Sequence, residues 1–188
     1  VLFYGQFIPL HGIPVIIEAA RLLRNEDIEW LLIGKGQEEE QIRRMLAEVP
    51  LPRLFWIPWV PYEELIESIA GADVCLGIFG QSRKTRNVIP NKVFQILISG
   101  RPLITADTPA IRELLAHEGN IRLIQTGSPE ELARAILDMQ AAKEQGKKMP
   151  ETKRELVVTE ERVGREIKQV LFFVINNLYM SENIPDNN

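Results

Sequence analysis

The sequence predicts an α/β fold in which helices cover both faces of a doubly wound, parallel, Rossmann-like sheet of about six strands. Apolar runs that end in glycine or turn residues recur along the chain, and each precedes a stretch with helical spacing. Strict alternation with short connections favours parallel strands joined by crossover helices. The strands are nearly continuous apolar runs, which is typical of a sheet covered on both faces.

The predicted elements follow one another in a regular order. We expect strands at residues 1–5, 29–34, 54–57, 73–78, 102–105 and 121–124. We expect helices at residues 14–24, 37–48, 61–71, 90–99, 108–117 and 129–143. These elements predict one domain over residues 1–144, then a linker over 145–159, a C-terminal helix over 160–180 and a loose tail over 181–188. The C-terminal helix is expected to pack on the domain or on a missing partner domain.

Composition, charge and the start of the chain limit the function. The net charge of −4 argues against a nucleic-acid partner. Cys75 is the single cysteine, which favours a reducing compartment, by default the cytoplasm. No apolar run reaches the roughly 18 residues of a membrane span, so membrane contact is expected only as a peripheral contact of the full-length protein. The chain begins without Met, directly in a strand, and we expect it to be part of a longer protein.

The loops at the carboxyl ends of the strands are the candidate ligand sites, because open parallel sheets bind ligands there. The loop over residues 5–12 is bracketed by Gly5 and Gly12, which let the backbone turn sharply or approach a ligand. His11 lies just before a helix that has Pro14 at its start. The residues leave two interpretations open, an anion held by His11 and the helix start, or a turn that His11 stabilises.

The loop after the second strand, Gly34-Lys35-Gly36, is a weaker candidate. It lacks the third glycine of a dinucleotide-binding fingerprint, since Glu39 stands in that place. The following helix begins with the glutamates of residues 38–40, whose carboxylates would repel a phosphate. We therefore predict a structural turn.

The strongest candidate is the basic segment before the helix that we expect to begin at Pro90. Its upstream cations are Arg83, Lys84 and Arg86. Asn91 and Lys92 then lie in the first turn, where a cation opposes the helix dipole at a cost of roughly 0.3–1 kcal/mol unless an anion neutralises both. Backbone N–H groups and a lysine at a helix start form a common phosphate site. The alternative is a solvated basic loop. Gln95, one turn further, has an amide suited to a sugar hydroxyl.

The motifs together resemble a known family. In order they are residues 5–12 with Ile17-Glu18-Ala19, Leu32-Ile33-Gly34-Lys35-Gly36, Trp59-Val60-Pro61 with Glu64-Leu65, Ala72-Asp73-Val74, and Pro90-Asn91-Lys92-Val93-Phe94-Gln95 through residues 100–105. This set resembles the C-terminal domain of the retaining, nucleotide-sugar glycosyltransferases of group 1, or family 4, which have the GT-B fold. The match covers roughly residues 1–143, and the ordered set is specific.

The resemblance implies a function for the domain. The family has two facing Rossmann-like domains, and this chain is similar to the second, which holds a nucleoside diphosphate sugar. Transfer would go to an acceptor such as a growing glycan or glycolipid, held by the missing N-terminal domain. No metal or other cofactor is implied, and the sequence has no Asp-x-Asp pair. Because the acceptor domain is missing, we expect the chain alone to be inactive.

Several positions depart from the family pattern. In the family the first loop usually carries an arginine and a lysine that contact the diphosphate, and the matching residues are Gln6 and His11. Two family glutamates, one near the transferred sugar and one on the ribose, are matched by Asn87 and Gln95. Gln95 can still bond to a ribose, whereas Asn87 cannot stabilise developing positive charge as a glutamate would. The catalytic residues therefore stay unassigned.

The expected substrate-binding residues form one set. They are Gly5, Gln6, His11, Gly12, Arg83, Lys84, Asn87, Ile89, Asn91, Lys92 and Gln95. We expect the diphosphate to rest mainly on the helix start at Pro90 and on Lys92, with the upstream cations supplying charge that the first loop lacks. The alternative function is a degenerate, non-catalytic nucleotide-binding or regulatory module, which the loss of both glutamates favours. A sugar epimerase has no support beyond the fold.

Overall fold

The computed structural model describes residues 1–115 and 119–147, and strands and helices alternate along them. The strands are β1 (Leu2–Tyr4), β2 (Trp30–Ile33), β3 (Leu54–Ile57), β4 (Cys75–Leu76), β5 (Leu103–Ala106) and β6 (Ile121–Ile124). The helices are α1 (Ile13–Leu22), α2 (Glu39–Glu48), α3 (Tyr62–Gly71), α4 (Arg83–Arg86), α5 (Asn91–Ile98), α6 (Pro109–Leu115) and α7 (Pro129–Glu144).

The six strands of the described residues form one parallel sheet in the order β3-β2-β1-β4-β5-β6. β1 lies near the middle, with Phe3 opposite Leu32 of β2 and Leu2 opposite Cys75 of β4. The chain builds outward through β2 and β3, then returns to the other side of β1. This order confirms the predicted doubly wound fold, and it opens a crevice at the carboxyl ends of β1 and β4.

The core packs against both faces of the central strands. On one face Phe3, Leu32 and Leu76 join a cluster with residues of α1 and α7. The fully buried residues of α1 recur at helical spacing and are Ile13, Ile16, Ile17 and Ala19. On the other face α5 buries Val93, Ile96 and Leu97. Each fully buried aliphatic or aromatic side chain contributes roughly 1.5–3 kcal/mol relative to an exposed one, so this packing stabilises the central strands β1 and β4.

Two local predictions need correction. α4 was not among the predicted helices; it forms because the Ser82 hydroxyl caps it, accepting from the Thr85 N–H at 3.2 Å, and because Thr85 is buried. Pro90 is not the first helical residue. It caps α5 in an extended conformation, φ −67° and ψ 148°, and its carbonyl accepts from the Val93 N–H, so the helix begins at Asn91.

Some of the predicted elements lie outside the described residues. They are the C-terminal helix over 160–180, the tail over 181–188 and most of the linker over 145–159. Within the part of the chain that is described, no helix is both long and apolar enough to cross a bilayer.

Candidate functional site

The first loop and the segment after β4 lie against each other at the crevice. The Phe79 N–H donates to the His11 carbonyl at 3.0 Å. A Cβ atom on Gly12 would come within 2.7 Å of the Gly80 nitrogen, and one on Gly80 within 2.0 Å of the Pro9 carbonyl oxygen. Two backbones in contact therefore account for both glycines, and the loop and the segment form a common floor.

The loop after β2 packs on the first loop from the other side. The Phe7 N–H donates to the Lys35 carbonyl at 2.9 Å. A Cβ on Gly34, whose φ is 149°, would lie 1.9 Å from the Gly5 oxygen, and one on Gly36 would lie 2.6 Å from the Phe7 oxygen. These close approaches explain both glycines without a ligand, in line with the predicted structural turn.

Lys92 places its ammonium group inside the protein at the end of β1. Among the described residues it is the one lysine, arginine or carboxylate side chain that is buried, with 6% exposed. Its Nζ lies 3.3 Å from the Tyr4 carbonyl oxygen and 3.8 Å from the centroid of the Phe3 ring. No ion pair within the described residues includes it. Burial lowers the pKa of Lys92 well below its ordinary value.

His11 approaches the same point from the first loop. Its ring packs edge-on against Phe3 with centroids 5.7 Å apart, and its Nδ1–H donates to the Gln6 carbonyl. A Cβ on Gly5 would lie 3.1 Å from His11 Cε1 and 3.7 Å from Lys92 Nζ, so the two side chains flank this glycine. Burial and then the nearby Lys92 charge lower the pKa of His11 to about 4. His11 is therefore neutral at pH 7, and its bond to Gln6 favours a turn-stabilising role over a protonated anion site.

Gln95 lies one helical turn beyond Lys92 and contacts the last residue of β1. The Tyr4 hydroxyl is 3.0 Å from Gln95 Oε1 and 3.3 Å from the Lys92 carbonyl oxygen. Burial raises the pKa of Tyr4, so its hydroxyl stays a proton donor at neutral pH. Sequence reasoning missed Tyr4 as a site residue, because the contact joins positions 91 residues apart.

The cations of α4 lie in a different environment from Lys92. Arg83, Lys84 and Arg86 are exposed, and none takes part in an ion pair within the described residues. Asn87, the residue that ends α4, is exposed, and its N–H donates to the Lys84 carbonyl at 3.1 Å. These side chains add positive charge between β4 and α5, at the carboxyl edge of the sheet.

The structure thus brings some of the predicted site residues together and leaves others apart. It brings together Gly5, His11, Lys92 and Gln95 at the end of β1. The other predicted residues of the segment after β4 make no side-chain bond to this group within the described part of the chain; they are Arg83, Lys84, Asn87, Ile89 and Asn91. In the described ranges, no three His, Cys, Asp or Glu side chains lie close enough to hold a metal ion.

A cavity of about 1000 Å³ opens at the opposite edge of the sheet, where β1 and β2 begin. Its lining includes Trp30, Phe55 and Met139. Doubly wound sheets bind ligands outside the carboxyl ends of their strands. We therefore take the crevice, and not this cavity, as the candidate functional site.

Sequence comparison connects the chain to known proteins. A family model described as glycosyl transferases group 1 matches residues 1–141. "Probable glycosyltransferase WbjE" of Pseudomonas aeruginosa is 26% identical over 107 residues, which is 54% of this chain and 25% of that protein. The amylovoran biosynthesis glycosyltransferase AmsK of Erwinia amylovora is 26% identical over 130 residues, 67% of this chain and 32% of that protein. The chain therefore spans about a quarter to a third of the curated relatives it matches.

Structural comparison gives the same architecture. The crystal structure of Anabaena HepE in complex with UDP-glucose matches with a TM-score of 0.68 at 16% identity, over 94% of this chain and 48% of that one. The likeness supports the predicted fold, a Rossmann-like half of a GT-B protein. Because the family model matches residues 1–141 of 188, the chain belongs to the group 1 glycosyltransferases.

Proposed function

We propose that this chain is the donor-binding domain of a retaining glycosyltransferase and that it holds the diphosphate of a nucleoside diphosphate sugar at the crevice. One observation carries the proposal. Lys92 is buried at the end of β1, at the point where the strand order reverses, and no carboxylate of the described residues pairs with it.

The buried position of Lys92 has a cost in free energy. Taking an ammonium group out of water is costly unless it is paired. Lys92 is also the second residue of α5, where its charge opposes the helix dipole. A diphosphate would relieve both costs, since it would pair with the ammonium and accept from N–H groups at the start of α5.

The two sides of the crevice have different roles in this proposal. The start of α5 supplies positive charge, and the exposed cations of α4 add to the field around it. The first loop supplies shape, because Gln6 is uncharged and the low pKa of His11 keeps its ring neutral. The diphosphate would therefore rest mainly on α5, with Gln95 beside a sugar hydroxyl.

We extend the proposal to the whole protein. A second, N-terminal domain would hold the acceptor, a growing glycan or glycolipid, and this chain alone would be inactive. The name of AmsK, which refers to amylovoran biosynthesis, supports an acceptor of this class. Cys75, buried and free, supports a reducing compartment such as the cytoplasm.

A second candidate is a nucleotide-binding or regulatory module of the same fold that has lost catalysis. The observation that favours it is the pair of amides, Asn87 and Gln95, at positions where the family resemblance expects glutamates. The two candidates share the nucleotide site and differ only in transfer. Incubation of the full-length protein with donor and acceptor separates them, because the module would bind donor without forming product.

Calorimetric titration with UDP, GDP and ADP tests the site itself. We expect one of them to bind, and Lys92→Met to weaken that binding about thirtyfold to a hundredfold, the loss of a buried charge-assisted contact. Met fills similar space without a charge. The matched control is Lys35→Met, which removes an exposed lysine from the neighbouring loop and should change affinity less than twofold. A folded chain that binds none of the nucleotides would contradict the proposal.

A further inference from the structure

The hydrogen bond from Tyr4 determines how the Gln95 amide is turned. Tyr4 is the last residue of β1 and is 6% exposed. Its hydroxyl has one proton to donate, and the nearer acceptor is Gln95 Oε1 at 3.0 Å, with the Lys92 carbonyl at 3.3 Å. The amide oxygen of Gln95 is thus held against the strand.

A second hydrogen bond runs in the opposite direction between the same two elements. Lys92 Nζ donates to the Tyr4 carbonyl at 3.3 Å, while the Tyr4 side chain bonds to α5. The end of β1 is itself held in the sheet, where the N–H of Gly5 donates to the Ile33 carbonyl at 2.9 Å. The position of Gln95 is therefore set by the sheet and not by a surface loop.

The orientation leaves the nitrogen of the Gln95 amide available. An amide NH₂ group has two protons to donate. No side chain or carbonyl of the described residues accepts from it, and Gln95 is only half-buried. Gln95 consequently offers a ligand donors, whereas a glutamate held by the same tyrosine would offer acceptors.

We propose that Tyr4 is a positioning residue, which turns the Gln95 amide so that its NH₂ group donates to a sugar hydroxyl oxygen beside the bound diphosphate. The inference rests on the proposed function, in which Lys92 binds the diphosphate. Lys92 lies three residues before Gln95, so the two side chains lie on neighbouring parts of the helix surface. Two sugar rings flank that diphosphate, the ribose and the transferred sugar. Both carry hydroxyl groups, and the experiment distinguishes them.

The experiment measures affinities for matched ligands by calorimetry. The proteins are the wild type, Tyr4→Phe, Gln95→Ala and the double variant. The ligands are the nucleoside diphosphate that binds the wild type, its 2′-deoxy and 3′-deoxy forms, and the corresponding nucleoside diphosphate sugar. If the ribose is the acceptor, removing the contacted hydroxyl weakens wild-type binding about fivefold to tenfold. If the transferred sugar is the acceptor, the deoxy forms bind alike and the sugar improves wild-type affinity by a similar factor.

In either case Gln95→Ala removes the discrimination. Tyr4→Phe is expected to remove most of it as well, because the amide loses its fixed orientation while its NH₂ group is still present. The double variant should show the same loss of discrimination as Gln95→Ala alone, since both changes act on one contact. Inorganic pyrophosphate, which has no hydroxyl, should bind the wild type and Tyr4→Phe within twofold of each other.

Two outcomes would overturn the inference. One is a Tyr4→Phe protein that keeps wild-type hydroxyl discrimination while its affinity for every ligand falls equally, which would make Tyr4 only structural. The other is a wild type that binds nucleoside diphosphates without any hydroxyl or sugar preference, which would leave the proposed function intact. A wild type that binds no nucleotide would contradict the proposed function and this inference together. Thermal unfolding checks each fold, and Tyr4→Leu also removes the hydroxyl should Tyr4→Phe not fold.

Discussion

Lys92 and the cations of α4 lie close together in the sequence, and the structure places them in opposite environments. Arg83, Lys84 and Arg86 are exposed and solvated, whereas Lys92 is buried beneath the end of β1. A solvated cation costs the fold almost nothing, so its presence says little about a ligand. A buried cation without a negative partner lowers the stability of the fold, and that makes Lys92 the more informative of the two.

The largest expected contrast is between the effects of one change on nucleotide binding and on the stability of the unbound protein. Lys92→Met should weaken nucleotide binding and yet raise the free energy of unfolding by about 1 kcal/mol, since an apolar side chain of similar size replaces a buried, unpaired amine. Thermal unfolding without ligand would show a rise of about 2–4 °C. Lys84→Met, at an exposed position of α4, is the control and should stay within about 0.5 kcal/mol of the wild type.

A Lys92→Met protein that is clearly less stable than the wild type would contradict the expected cost of burying Lys92. In that case the contacts of the ammonium with the Tyr4 carbonyl and the Phe3 ring would outweigh its desolvation. Lys92 would then have a structural role that needs no anion.

Acid is expected to lower the stability of the fold through His11, the neighbour of Lys92. The pKa of His11 is about 4 in the folded chain and 6.5 in a free histidine, so the unfolded chain binds more protons between these values. Stability from the neutral ring is complete above about pH 6.5 and is lost as the pH falls towards 4. Allowing for partial exposure, we expect a loss on the order of 2 kcal/mol.

Denaturant unfolding at a series of pH values measures this loss. His11→Asn keeps a donor for the Gln6 carbonyl but does not titrate, so its curve should be flatter than that of the wild type over the same range. The carboxylates contribute equally to both proteins. Parallel curves would show that His11 is not held neutral by burial.

The smallest effects are expected on α4. Each single change, Arg83→Gln, Lys84→Gln or Arg86→Gln, should weaken nucleotide binding about threefold or less, because an exposed charge acts through water. Raising the salt concentration to about 0.5 M should remove these differences but preserve most of the Lys92→Met effect, since buried pairs are screened less. Titration at two salt concentrations decides the matter, and loss of binding from one α4 change would move the diphosphate site to α4.

The fold could be predicted from the sequence because its strands are short, nearly continuous apolar runs and the segments between them have helical periodicity. The helix α4 could not, since it is four residues long and depends on one serine cap. The burial of Lys92 follows from the helical spacing of its apolar neighbours. Lys92, Val93, Ile96 and Leu97 are all buried, so the helical spacing of the apolar residues already placed Lys92 on the inner face of α5.

The site was harder to predict than the fold because its contacts join distant positions. The family resemblance indicated Gln95, and the helix start indicated Lys92, but neither indicated Tyr4, which lies in an ordinary apolar strand pattern. From the sequence alone, a tyrosine at this position is interpreted as a core residue. Its contact with Gln95 follows only from the packing of α5 against β1. The neutral state of His11 likewise depends on the surrounding burial and on Lys92, which the sequence alone does not provide.

The floor of the crevice has a consequence for how such domains diverge. Where the first loop meets the segment after β4, and where it meets the loop after β2, the contacts are between main-chain atoms, and glycines allow them. Main-chain hydrogen bonds do not depend on which side chains surround them. Mutation can therefore replace side chains around the crevice while the main-chain contacts of its floor persist. Ligand preference in this architecture would then change through the exchange of single side chains, such as those of Gln6 or Gln95.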